Sequence, residues 1–281
     1  MHEKKKIRTG LSIAISFFLS IFVFLLFLSV ELKMGYFSER VFQKAIRAGS
    51  YGANMENAVS EKLKLLFAEQ ELPETLADDL TEEMDVYILF HNYAEKKSST
   101  DSKTGSAKVR EEFQEKCRTI VDAYLEEQEV YKTESIENSV ELLAKQTGII
   151  CERYVYPEFV GKYYDMAQNM QKQLMKLAVL TVVFSVICVM ALTGMYHYRH
   201  RALRYMVYST ITATILNIAV MLYLRYADVL EITGTAPEYY QQFVEQYRVC
   251  GLNSWYLVSG AGIAVSVLLL MLVKRLKHTV K

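Results

Sequence analysis

The chain has 281 residues, 52% of them hydrophobic, with 32 basic side chains against 32 acidic ones. That is too apolar for an ordinary water-soluble protein and too charged for one wholly embedded in lipid, so a mixed membrane and aqueous architecture is expected. The balance hides a segregation: residues 31–172 hold 27 acidic and 18 basic side chains, and a domain of that sign excludes nucleic acid, which needs a basic patch.

Residues 1–10 form a basic tail, with Lys4, Lys5, Lys6 and Arg8, ahead of an uncharged run at 11–30. About 20 apolar residues match the hydrocarbon thickness of a bilayer. The run is too long for a signal peptide, and Val30, Glu31, Leu32 and Lys33 offer no small-residue cleavage site. An uncleaved signal anchor, the first transmembrane helix, is the reading. Ser12, Ser16 and Ser20 stand four apart on it, a spacing at which small side chains let helix backbones approach in lipid.

Residues 31–176 are expected to form a helical domain. Segments 36–48 and 54–68 are amphipathic, the second with Val59, Leu63, Leu66 and Phe67 on one face, and residues 49–52 interrupt them. Pro73 suits the start of a further helix, in which Leu76, Leu80, Met84 and Ile88 follow at steps of four. Glu74, Asp78, Asp79, Glu82, Glu83 and Asp85 lack the glycine turn of a calcium loop and read as its solvated face. Residues 97–107, KSSTDSKTGSA, contain nothing apolar larger than alanine and are expected to be a mobile loop. Val109, Phe113, Cys117, Ile120, Val121, Tyr124 and Leu125 then share a helical face, and Thr133 or Ser135 caps a helix that Gly148 closes. Cys117 and Cys151 have two readings, a disulfide between neighbouring helices or two buried thiols.

Residues 157–195 read as one helix. Its stalk, 157–176, carries Phe159, Tyr163, Met166, Met170 and Leu174 at steps of three and four. Its apolar part, 177–195, is the second span, roughly 28 Å long at about 1.5 Å per residue. Residues 196–205 form a basic turn with Arg199, Arg201 and Arg204, and 206–224 form the third span, where Asn217 is read as an interhelical hydrogen-bonding group. Loop 225–251 holds a short helix after Pro237, with Tyr239, Tyr240, Phe243 and Tyr247 mostly on one side. The fourth span, 252–273, opens on Trp255 and Tyr256 in an interfacial aromatic belt. It pairs Gly260 with Ala264 and Gly262 with Ser266 at four-residue spacing, and a basic tail follows at 274–281.

The three basic segments must share one side if four helices span, and basic flanks collect in the cytoplasm. The expected fold is therefore an all-α integral membrane protein with four transmembrane helices plus an extracytoplasmic helical bundle, multi-pass in the plasma membrane, both termini cytoplasmic. No charged side chain falls inside the four runs, which disfavours an ion-coupled transporter. No HExxH, Walker lysine, GxSxG or GxGxxG motif occurs. His197 and His200 flank Arg199 and Arg201, which repel a divalent metal. The chain is read as no enzyme, with no cofactor and no metal, and as having for partners the lipid bilayer and a protein of unknown identity, a second copy included.

The basic anchor, the LPETL start at 72–76 in an acidic helical segment, the turn HYRHRALRY at 197–205 and the closing VKRLK at 273–277 resemble uncharacterised four-span membrane proteins of Gram-positive bacteria. The resemblance implies fold and a place in the cell envelope, and transfers no active site. A looser likeness is to permease subunits of cell-division and macrolide-type ABC systems, which also place a large external domain between spans one and two. Here, though, the 196–205 connection is short for an element that grips an ATPase. The expected function is a non-enzymatic cell-envelope protein whose extracytoplasmic helical domain binds a partner or senses a ligand; the alternative is a permease-like or accessory subunit of a membrane transport complex.

Overall fold

The computed structural model describes residues 2–95, 99–196, 198–226 and 236–279, and side chains within 6–95, 105–196, 198, 200–226 and 236–277. Every regular element among them is an α-helix: α1 (His2–Met34), α2 (Glu39–Ala48), α3 (Tyr51–Ala68), α4 (Thr75–Met84), α5 (Val86–Glu95), α6 (Ser99–Glu127), α7 (Glu134–Val155), α8 (Glu158–Met195), α9 (Arg199–Tyr226) and α10 (Glu238–Thr279). The chain divides into two compact units. One comprises Met1–Phe42, Gln168–Thr235 and Val244–Lys281; the other comprises Gln43–Ala167 and Ala236–Phe243.

The first unit is built on the apolar lengths of α1, α8, α9 and α10, all long and apolar enough to cross a membrane, as in a multi-pass membrane protein. A helix satisfies its backbone polar groups internally, so it can turn large apolar side chains outward where lipid replaces water. Phe17, Phe18, Val183, Ile187, Leu268 and Met271 are all exposed in this way. Small or hydroxylated residues face inward instead. Ser16 and Ser209 share a hydrogen bond of 2.9 Å between α1 and α9, and the Ser209 hydroxyl lies 2.8 Å from the Ser16 carbonyl.

Two boundaries differ from those expected. The turn at 196–205 is helical from Arg199 onward, because its alanine, leucine and arginines are good helix formers and nothing in it breaks the ladder. The short helix expected in loop 225–251 and the fourth span are one helix, α10. Gly251 lies inside that helix because the Tyr36 ring fills its side-chain space: a Cβ there would sit 2.4 Å from Tyr36 Cε1. Residues 227–235 of that loop, with His197, lie outside the described residues.

The second unit is organised on α3, whose Tyr51, Met55, Val59, Leu63 and Phe67 are buried at steps of four. Leu76 and Leu80 of α4, Phe90 of α5, Phe113, Cys117 and Val121 of α6, and Leu143, Cys151 and Val155 of α7 complete the core. The helix expected to continue through Ile88 breaks at Asp85, in the left-handed region at φ 44°. Aspartate tolerates that region, and its Oδ1 accepts from the Ile88 N–H at 3.0 Å, capping α5. Ile88 is exposed as a result. The loop expected at 97–107 is helical from Ser99 onward, while residues 97–98 lie outside the described residues. Ser99, Thr100 and Asp101 are helix-starting residue types, and Gly105 packs against Tyr156, where a Cβ would meet the phenol oxygen at 2.9 Å. Small residues signalled a loop by composition, but here they make room for a ring.

Gly148 does not close α7, which runs on to Val155 before Tyr156 and Pro157. It lets α6 and α7 touch: a Cβ on Gly148 would lie 2.8 Å from the Arg110 carbonyl oxygen. The start of α10 joins this unit through an aromatic cluster. Tyr51 stands 5.2 Å from Tyr239 and 5.9 Å from Phe243, and Phe159 stands 5.2 Å from Tyr240. Burial first, then the neighbouring Tyr239, Tyr240 and Tyr154, push the Tyr51 hydroxyl above the usual phenol range.

Candidate functional site: a buried polar junction of α1, α9 and α10

Within the first unit, α1 continues one turn beyond the uncharged run and buries Glu31 completely. The helical period carries it there: Leu28 lies one turn before it and Gly35 one turn after, and Leu28 and Leu32 pack on the cluster of Met221, Leu252 and Trp255. Asn217 arrives from α9, also fully buried, and its Nδ2 donates to Glu31 Oε1 at 2.5 Å and to Ser259 Oγ of α10 at 3.0 Å. The Ser254 hydroxyl donates to the Glu31 main-chain carbonyl at 3.1 Å. One amide thus ties three helices around a carboxyl group.

The junction carries an imbalance. Glu31 Oε2, Asn217 Oδ1 and Trp255 Nε1 are buried with no hydrogen-bond partner among the described residues. Both amide hydrogens of Asn217 are committed, so two acceptors and one donor are left over. No salt bridge reaches Glu31 among the described residues. Lys33 approaches Met175 Sδ at 3.9 Å instead, and Arg225 donates to the Tyr256 hydroxyl at 2.6 Å. A carboxyl so placed can bind a proton or a cation; isolated and charged, it would cost several kcal/mol.

Against family models, curated proteins and solved structures, the chain has no match.

Glu31 is not legible from hydropathy, which ends the first span at Val30 because a charge follows. The signal lay in period: Leu28, Glu31, Leu32 and Gly35 extend the helical face past the point where hydropathy stops.

The expected packing residues divide. Ser12 shares a 2.9 Å hydrogen bond with the Tyr196 hydroxyl, and the Arg8 guanidinium lies 4.4 Å from the Tyr196 ring centroid. Ser16 donates to the Tyr205 carbonyl at 3.0 Å, whereas Ser20 returns to Phe17 of its own helix at 2.7 Å. On α10, Gly262 and Ser266 face inward, with a Cβ on Gly262 reaching 2.8 Å from Thr214 Oγ1. Gly260 and Ala264 face outward, and nothing lies within 4 Å of a Cβ on Gly260.

The stalk stripe is shifted. In the second unit α8 buries Val160, Tyr163, Tyr164 and Ala167, while Phe159 is half-buried and Met166 is 52% exposed. Farther along, in the first unit, Met170 is half-buried and Leu174 buried. The face turns this way because Tyr164 donates to the Ala94 carbonyl and Ala167 is small enough for close packing.

Cys117 and Cys151 stand as free buried thiols. Cys117 Sγ lies 3.7 Å from Thr147 Oγ1. Burial pushes its thiol up to about 11, against the pull of that hydrogen bond, and burial raises Cys151 further. Thiols held neutral are poor nucleophiles. Among the described residues no three His, Cys, Asp or Glu side chains gather as a metal site.

Proposed function

We propose that this chain is a non-enzymatic cell-envelope membrane protein whose helical domain stands outside the cytoplasm and binds a partner protein through an apolar groove. The four membrane helices and their basic flanks support the topology, and the resemblance to four-span proteins of Gram-positive bacteria points the same way. The observation that carries the binding role is a groove of about 320 Å³ between α3 and α7. Leu65, Leu66, Ile149 and Ile150 form its apolar walls, with Lys62, Glu69 and Gln146 beside them. Leu65 is 61% and Ile149 48% exposed, and an apolar groove with a polar rim suits the apolar face of a partner's amphipathic helix.

Photocrosslinking amino acids placed at Leu65 and Ile149 in the full-length protein, in its native membrane, test this. The expected result is one protein captured from both positions and lost when the groove is charged by Ile150→Asp. No adduct from either position overturns the reading. The topology is tested by a membrane-impermeant thiol reagent on intact cells, which should label Glu134→Cys and spare Arg275→Cys.

A second reading, an accessory or permease-like subunit of a transport complex, draws on the buried Glu31 and Asn217, since ionisable groups within membrane helices mark ion and substrate pathways. Copurification of a stoichiometric nucleotide-binding protein in mild detergent would favour it.

A further inference from the structure

The junction of α1, α9 and α10 contains groups that the partner-binding reading does not use. Glu31 and Asn217 are each 0% exposed, and each keeps one oxygen without a partner. Two acceptors on side chains already joined by a hydrogen bond are left without a hydrogen. We propose that Glu31 is a proton-binding site: Oε2 takes up one proton from water and offers it to a neighbouring acceptor, the Asn217 amide oxygen being the one left open.

A proton completes the site better than a metal ion does. Hard divalent cations take six or more oxygens, whereas the junction has two uncommitted acceptors, and the oxygens of Ser254 and Ser259 are already bonded. A proton also needs no added volume in a junction where Ser254, Gly35 and Gly251 are in close contact.

The surroundings leave Glu31 as the group that titrates here. Its bonded neighbours from α9 and α10, Asn217 and Ser254, are uncharged, as is Ser259 beyond them. One turn outward stand Tyr36, after α1, with Tyr247 donating to its carbonyl and Arg248 acting on its phenol. Tyrosine and arginine ordinarily titrate near or above pH 10. Lys33 and Arg225 turn to Met175 and Tyr256. Loss of the proton leaves a charge bonded to one neutral amide, so the three helices loosen to admit water.

Trp255, the one tryptophan in the chain, is buried beside Ser254 and reports on this junction. The test uses full-length protein in lipid nanodiscs, its emission followed across pH in choline chloride and again in sodium chloride. The expected result is a one-proton transition, the same in both salts and abolished in Glu31→Gln, which imitates the neutral acid and keeps the shape of the site. Infrared difference spectra of the unmutated protein give a second readout: a protonated-carboxyl C=O band, present at low pH and lost at high pH, that Glu31→Gln removes. Three outcomes overturn the proposal. They are constant emission and no such band while circular dichroism stays helical, a transition that persists in Glu31→Gln, or a transition displaced by sodium, which would make the site one for a metal cation.

Discussion

Replacing Gly148 with alanine tests the packing of α6 on α7, because the added methyl would sit 2.8 Å from the Arg110 carbonyl oxygen, 2.7 Å from Gln114 Cγ and 3.0 Å from Arg110 Cγ. The two Cγ atoms can swing aside; the carbonyl belongs to the α6 backbone and moves only if the helices part. Overpacking against a backbone atom falls in the upper part of its usual range, about 2–3 kcal/mol. Alanine in a helix interior returns about 1 kcal/mol relative to glycine. The net loss is about 1–2 kcal/mol, a factor of roughly 5–30 in the population of the opened state. Cys117 and Cys151 read that population directly. Cys151 lies one turn beyond Gly148 on α7, Cys117 one turn beyond Gln114 on α6, and both are buried in the unmutated protein. Mass-resolved maleimide labelling of the full-length protein in detergent should show both thiols reacting roughly 5–30 times faster in Gly148→Ala, with Cys250 in the other unit unchanged. Gly194→Ala, where nothing lies within 4 Å of the new Cβ, should leave every rate alone. Equal or slower labelling in Gly148→Ala would mean that helix propensity outweighs the clash, and the close approach of α6 and α7 would be refuted.

Asn217→Leu removes the amide that ties α9 to Glu31 and Ser259 and should lower stability by about 1–2 kcal/mol, read as an earlier unfolding midpoint by Trp255 emission. Gly262→Ala, crowded by Thr214 Oγ1 and Phe27, should lower the same midpoint, and Gly260→Ala, which opens on empty space, should not. Ala167→Asp places a charge at a buried position of α8 and should abolish the folded domain by limited proteolysis, whereas Met166→Asp, at an exposed position, should leave the digestion pattern intact. The thiol of Cys117 titrates higher folded than unfolded, so its contribution to stability is complete below about pH 8.5 and disappears as pH climbs through about 11. Chemical denaturation at pH 8 and pH 11 should show the easier unfolding at the higher value.

Long uncharged runs reveal α1, α8, α9 and α10 because crossing a bilayer requires length and apolarity together, and both are written in consecutive residues. Helical period likewise marks α3, where burial recurs every fourth residue from Tyr51 to Phe67. What fails is the reading of small residues. Gly105 and Gly148 signal a loop and a helix end, yet both lie inside helices, because their missing side chains are filled by Tyr156 in one case and by α6 in the other. A glycine's local meaning is permissive backbone. Its tertiary meaning is close approach, and that depends on a partner far along the chain. The stalk errs for a related reason: Met166 and Ala167 are adjacent, the larger looks like core, and the smaller is the one that fits against a neighbour.

The same limit explains why the polar junction went unread. Hydropathy treats a charged residue as the end of a span, and Glu31 follows directly on twenty uncharged residues. An exposed glutamate at that place would need no explanation. The neutral, three-helix setting of Glu31 exists only because Asn217 lies 186 positions away and Ser259 another 42 beyond it. Each of those residues taken singly is an ordinary feature of a membrane helix. Together they enclose a carboxyl group that has one amide for company, so a change in its charge, as proposed above, would be felt by three helices at once.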